Sequence, residues 1–338
     1  MRVHSESPLW EPHKTSRSGS FAPTPALAAK TVFSSHVLSI LAPGQGSQTP
    51  GMLTPWLELP GVGDQLATWS KLTKLDLLRL GTTATADEIT DTAVTQPLVV
   101  ATELLAFDEY CKRGETPADA IVAGHSVGEL AAAAITGVIS FDDAVSLAAI
   151  RGAEMAKACA LEATTMAAVL GGDETAVLTR LDELGLVPAN RNAAGQIVAA
   201  GPVAAIDELI ANPPEKARVR KLAVAGAFHT AYMAPAQDAV AAAAAKITPS
   251  DPSRTLLSNS DGQPVTDGAD ALAKLVAQVT RPVRWDLCSA YMRDNNVTAL
   301  VELPPAGALT GIAKRELKGT PTVAWKTPED VEKVIELG

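Results

Sequence analysis

Apolar and polar positions change rhythm three times along the chain. Up to residue 36 no apolar periodicity persists, and Ser5, Ser7, Pro8, Pro12, Ser16, Ser18, Ser20, Pro23 and Pro25 break up whatever begins. Such a segment buries too little apolar surface to offset the entropy of ordering it, so residues 1–36 are expected to be a disordered or non-native extension outside the fold. From Val37 the rhythm becomes strand then helix. A short apolar run over residues 37–42 stops at the turn-rich Pro43-Gly44-Gln45-Gly46-Ser47-Gln48. A second run over residues 120–123 stops at Gly124-His125-Ser126-Val127-Gly128, and the alanine-rich stretch after it favours helix. Loops at the carboxyl ends of strands are where open α/β sheets place ligands.

Between residues 164 and 225 the pattern becomes separable. Strands are predicted over 166–170, 186–192, 196–200 and 219–224, with helices over 174–184 and 203–210. The order β-α-β-β-α-β is that of a ferredoxin-like unit, for which about 60 residues suffice. Beyond it the periodicity predicts helices over 235–247, 269–279, 285–295 and 309–317, and strands over 255–258 and 298–303. The chain therefore reads as a large α/β domain over 37–163 and 226–326, a small α+β domain inserted over 164–225, and a C-terminal tail over 327–338.

Composition narrows the picture. Apolar residues make up 47% and aromatics only 4%, which fits helices and buried strands covering one another in an α/β layer fold. No run of about 18 consecutive apolar residues occurs, so no membrane span is expected. The net charge of −10 argues against nonspecific nucleic-acid binding, which needs clustered cations. Cys111, Cys159 and Cys288 are odd in number and lack paired metal-ligand spacing, so neither a disulfide framework nor a metal site is expected, and a reducing cytoplasm is the simplest location.

The strongest chemical signal is Gly124-His125-Ser126-Val127-Gly128, a G-x-S-x-G turn between strand and helix. Flanking glycines let a serine occupy a strained turn that pushes its hydroxyl out at the sheet edge, and the following helix aims N–H groups at a developing oxyanion. It marks the large domain as α/β-hydrolase-like, with a parallel sheet core. A serine hydroxyl needs a proton acceptor. Beyond residue 36 the only histidines are His125 and His229. His125 adjoins the serine and should point away from its hydroxyl, which leaves His229 as the base. On the helix predicted over 141–158, Ala144, Leu147, Ala148, Arg151 and Met155 share one face, otherwise apolar. A guanidinium held there must meet an anion. A structural Asp or Glu would serve, but beside a serine acyl-transfer site a clamp for a substrate carboxylate explains it better.

At these residues the chain resembles the malonyl-CoA:acyl carrier protein transacylases and related acyltransferase domains of fatty-acid and polyketide synthesis. The resemblance is carried by Pro43-Gly44-Gln45-Gly46-Ser47-Gln48, Thr95-Gln96-Pro97, Gly124-His125-Ser126-Val127-Gly128-Glu129 and Arg151-Gly152 with Met155. Further on it is carried by Asn190-Arg191-Asn192, Gly195-Gln196-Ile197-Val198, Phe228-His229 and Pro282-Val283-Arg284-Trp285. It implies Ser126 as nucleophile, His229 as base, main-chain N–H groups of Gln45 and Val127 as oxyanion hole, and Arg151 as malonyl carboxylate ligand. Gln278 would orient His229 through its main-chain carbonyl. Gln96, Met155, Asn190, Asn192 and Phe228 would line the pocket, strand-end capping being an equal explanation for the asparagines. The ring of Phe228 would crowd an α-methyl branch.

The implied reaction is ping-pong malonyl transfer from malonyl-CoA to the phosphopantetheine thiol of an acyl carrier protein, with no cofactor, in a monomer. The absence of adjoining synthase domains favours fatty-acid over polyketide synthesis. Basic runs at Lys216, Arg218, Arg220 and Lys221 and at Lys314, Arg315 and Lys318 are either solvated faces or docking sites for an acidic carrier protein. A serine thioesterase would share the glycine-flanked serine, but predicts a carboxylate behind the histidine and gives no reason for Arg151. A silent carrier-binding scaffold predicts that Ser126 is dispensable.

Overall fold

Where each short apolar run stops decides how the molecule is built. The computed structural model describes residues 36–224 and 226–338, so the extension expected over 1–36 lies, apart from His36, outside the described residues. β1 (Leu38–Ala42) is buried along its whole length and breaks at Pro43. There follow α1 (Val62–Thr73), α2 (Leu77–Thr82), α3 (Ala86–Thr90) and α4 (Thr92–Arg113), then β2 (Ile121–Gly124), α5 (Gly128–Ile135) and α6 (Phe141–Cys159). Side chains of Asp76, Thr85, Asp91 and Ser140 cap the first turns of α2, α3, α4 and α6. Periodicity gave no helix between residues 49 and 119. α4 explains why: it is buried on nearly every side from Thr95 to Tyr110, so it lacks the one-sided stripe that periodicity detects.

β3 (Thr164–Gly171), α7 (Glu174–Glu183), β4 (Val187–Ala193), β5 (Gln196–Pro202), α8 (Val203–Ala211) and β6 (Ala217–Lys221) build a separate antiparallel sheet in the order β4-β5-β3-β6. The last of its strands was expected over 219–224. Its ladder with β3 instead spans Ala217 to Lys221; the Leu222 N–H still donates to the Met166 carbonyl (2.9 Å), and the side chains of Leu222 and Val224 line a cavity.

The chain then returns through α9 (Ala234–Ala244), β7 (Thr255–Leu257), β8 (Pro264–Val265), α10 (Gly268–Ala277), α11 (Trp285–Asp294), β9 (Ala299–Glu302), α12 (Ala308–Glu316), β10 (Thr322–Ala324) and α13 (Val331–Ile335). The larger sheet has the order β10-β9-β1-β2-β7-β8 and is parallel except for β8. Apolar cores cover both of its faces, as a parallel sheet requires. Residues 327–338 are not a tail. Thr327 and Asp330 form a capping box, and α13 buries Val331 and Val334 against α4. A two-turn segment with only two buried apolar positions carries too little periodicity to be seen in sequence. No helix among the described residues is long and apolar enough to cross a membrane.

The topology brings three loops together. β1 and β2 are hydrogen-bonded neighbours, with Ala42 opposite Gly124, and β2 pairs with β7. Their carboxyl ends therefore deliver the Gln45 loop, the Ser126 turn and the Asn259 turn side by side.

Candidate active site

Ser126 sits where strand meets helix with φ 54°, a left-handed conformation that is strained for a serine. The glycines beside it are needed for a different reason: close approach. A Cβ on Gly124 would lie 2.1 Å from the Gly128 carbonyl oxygen, and one on Gly128 would lie 2.2 Å from the Ala42 carbonyl oxygen. The turn is held from below by Asn259, which is wholly buried. Its Oδ1 accepts from the Ser126 N–H (2.9 Å) and its Nδ2 donates to the Gly124 carbonyl (2.7 Å).

His229 also has a left-handed backbone, φ 59°, and its Nε2 lies 2.7 Å from the Ser126 Oγ. Its Nδ1 is 2.9 Å from the main-chain oxygen of Gln278. A carbonyl can only accept, so Nδ1 carries the proton and Nε2 is left to accept from the serine. Burial, and then the nearby Arg151 cation, hold His229 down at about 3, so it is neutral at ordinary pH.

Arg151 is 2% exposed. It reaches the site because Gly152 lets α6 press on α4; a Cβ there would come 2.6 Å from the Thr92 carbonyl oxygen. Its Nη1 donates to Gln96 Oε1 (2.6 Å), and its Nη2 to Gln278 Oε1 (2.8 Å) and, at 3.4 Å, towards Ser126 Oγ. Among the described residues no carboxylate bonds to it. Burial lowers its pKa only to about 10, so a charged guanidinium stands beside the nucleophile, held by two neutral amides. Gln96 in turn donates to Met155 Sδ at 3.5 Å.

These groups open on a cavity of about 400 Å³ lined by Gln45, Gln96, Ser126, Val127, Arg151, Met155, Asn190, Asn192, Phe228 and His229. Gln278 lies behind its wall. Among the described residues the main-chain N–H groups of Gln45 and Val127 have no acceptor. His125 turns away from the serine, as its position required; its Nε2 meets Asn192 Oδ1 at 2.9 Å and its ring packs edge-on against Trp285. Asn190 caps no helix or strand end but lies within β4, bridging to Val283.

Two residues of the network carried no expected role. Glu129, 4% exposed, accepts from the Asn259 N–H (2.8 Å) and from Gln278 Nε2. Asn259 follows the third apolar run that ends in a turn, Ser258-Asn259-Ser260-Asp261-Gly262, and that repeated strand-then-turn pattern was the signal that could have found it.

A family model described as acyl transferase domain matches residues 40–334. A malonyl CoA-acyl carrier protein transacylase of Mycolicibacterium smegmatis is 69% identical over 290 residues, covering 85% of this chain and all of the relative. The crystal structure of MCAT from Mycobacterium tuberculosis superposes with a TM-score of 0.86 at 64% identity, covering 89% of this chain and all of that one. A malonyl-transacylase solved in complex with its type II PKS acyl-carrier protein superposes with a TM-score of 0.82 at 29% identity, covering 89% of this chain and all of that one. With a family model spanning most of its length and relatives this similar, the chain belongs to the acyl transferase domain family.

Proposed function

We propose that this chain moves the malonyl group of malonyl-CoA to the thiol of an acyl carrier protein through an ester on Ser126. The observation that carries the reading is one cavity in which a serine, a neutral histidine within hydrogen-bond reach and a guanidinium that no carboxylate among the described residues meets converge. The malonyl carboxylate binds Arg151. That anion offsets the charge that depresses His229, and so raises the imidazole towards a useful base as substrate arrives. Ser126 Oγ gives its proton to His229 Nε2 and attacks the thioester carbonyl. The oxyanion is received by the N–H groups of Gln45 and Val127, and collapse expels the CoA thiolate, which takes the proton from His229. The carrier thiol then gives its proton to His229, attacks the ester and releases Ser126, which regains the proton. Each step uses side chains, main-chain N–H groups and the two substrates, so no cofactor is proposed.

The histidine's partner being a main-chain carbonyl supports transfer over the thioesterase reading, which called for a carboxylate. Phe228 at the cavity wall supports malonyl over branched acyl groups. For the carrier protein, Lys314, Arg315 and Lys318 are favoured, because α12 also lines the cavity with Leu309 and Ile312. The basic residues of β6 lie on the outer strand of the small sheet, where cations blunt an edge. The strand orders support an α/β-hydrolase-like core with a ferredoxin-like insertion, and the setting we propose is a cytoplasmic monomer supplying fatty-acid synthesis.

The test is to incubate the protein with malonyl-CoA, quench in acid and map the adduct. A malonyl ester on Ser126, lost in Ser126→Ala and discharged by carrier protein, is expected. Rapid hydrolysis with no malonyl-carrier product would overturn the reading.

A further inference from the structure

The transfer steps above make no use of Glu129, yet it ties together the groups that position all three reacting side chains. Its Oε1 accepts from the Asn259 N–H, and Asn259 Oδ1 accepts from the Ser126 N–H. Its Oε2 accepts from Gln278 Nε2, and Gln278 supplies the main-chain oxygen behind His229 and the side-chain Oε1 on Arg151. A carboxylate only accepts and a guanidinium only donates. Gln278 lies between them, so its amide has one favourable sense: NH₂ towards Glu129, oxygen towards Arg151. Turned over, it would set N–H against N–H on one side and oxygen against oxygen on the other.

We propose that Glu129 is a positioning residue for the transfer, whose carboxylate supplies the charged anchor for the Gln278 amide and thereby holds Arg151 ready for the substrate carboxylate. The inference rests on the reading of Ser126 as nucleophile and Arg151 as clamp. It explains why a buried carboxylate stands one amide away from Arg151 instead of against it. Direct contact would pair the two charges and leave the guanidinium nothing to offer an anion; the amide spacer lets Glu129 orient Arg151 without occupying it.

The Gln278 Nε2 also donates to the Ser126 main-chain oxygen (2.9 Å) and to Asn259 Oδ1 (3.2 Å), and the ionised Glu129 is the charged member of this set of acceptors. Burial pushes this carboxyl up to about 7. The charged and titratable groups that face it are Arg151 from α6, Lys274 from α10 and the Cys288 thiol from α11. In the free protein, whose groups kcat/KM reports, His229 lies near 3, well below that window. As pH falls through about 7, Glu129 gains a proton, the charged acceptor is lost, and the amide is held only by the Ser126 main-chain oxygen, Asn259 Oδ1 and Arg151, which loosens its grip on the guanidinium.

Two measurements test this. In the wild-type protein, kcat/KM for malonyl-CoA should fall as pH falls through about 7, with KM carrying most of the loss; a profile flat across that window would overturn the proposal. In Glu129→Gln the new amide can donate to Gln278, so KM for malonyl-CoA should rise about tenfold, the worth of one charge-assisted hydrogen bond, and the acid limb should vanish. A variant with unchanged KM and the same limb would also overturn it. Neither result touches the earlier reading, which falls only if no malonyl ester forms on Ser126. Should Glu129→Gln fail to fold, the wild-type profile alone decides.

Discussion

The floor and the wall of the cleft are built on opposite plans. The floor is laid by the carboxyl ends of β1, β2 and β7 with α6 beside them, and it is polar and cross-linked. Ser126, His229, Arg151, Asn259 and Gln278 hold one another through hydrogen bonds of 2.7 to 3.4 Å, and both members of the serine–histidine pair carry left-handed backbones. The wall comes from the antiparallel sheet and is largely apolar, with Met166, Ala168 and Val198 joined by Leu222 and Val224 and only a few amides among them. A strained, cross-linked floor fixes reacting atoms to within the tolerance that catalysis needs, whereas an apolar wall shapes the space and excludes water. Changes to the serine–histidine pair on the floor should therefore appear in kcat, changes to Arg151 and the groups that hold it in malonyl binding and acyl selectivity, and changes on the wall in KM alone.

The largest expected effect comes from His229→Ala, which leaves the Ser126 hydroxyl without a proton acceptor. Malonyl transfer should fall by about 10⁴-fold in kcat while the affinity for malonyl-CoA changes little. Steady-state kinetics with carrier protein as acceptor checks this; a variant that keeps most of its turnover would break the division between floor and wall. Next in size is Arg151→Ala, worth about 10²-fold in kcat/KM for malonyl-CoA, the loss of a buried charge-assisted pair. An acyl group without a free carboxylate has no use for the guanidinium, so the ratio of acetyl to malonyl transfer should rise. An unchanged ratio in a competition between the two acyl-CoAs would remove Arg151 from substrate recognition.

The same division governed what could be read from the chain. Ser126 was legible because the glycines around it are forced by close approach between β1, β2 and α5, and close approach leaves a local mark. Arg151 was legible because a lone cation interrupts an apolar face. The roles of Glu129 and Asn259 were not, since the network's members are 19 to 149 residues apart and each of these two reads as an ordinary polar residue, while Gln278 was reached only through the family resemblance. α4 escaped for the opposite reason, being buried too uniformly to show a face. The small sheet was legible strand by strand, and only its last strand was misplaced, because Leu222 and Val224, beyond its end at Lys221, keep their apolar character to line the cavity.

The smallest effect sharpens the comparison most, because it sits where floor and wall touch. Asn192, on β4, accepts from His125, the residue next to the nucleophile. His125 is half-buried, and desolvation lowers its pKa, so it is a neutral ring whose Nε2–H needs the Asn192 oxygen. Asn192→Ala would strand that donor and cost about 1–3 kcal/mol of stability, measurable by denaturant unfolding. Ser126 itself is held by Asn259 and His229, neither of which touches Asn192, so the reacting geometry should survive. KM for malonyl-CoA should therefore rise about threefold, from the loss of a pocket amide, with kcat nearly unchanged. A fall in kcat approaching that of His229→Ala would show that the wall holds the nucleophile as firmly as the floor does, and the division drawn above would not stand.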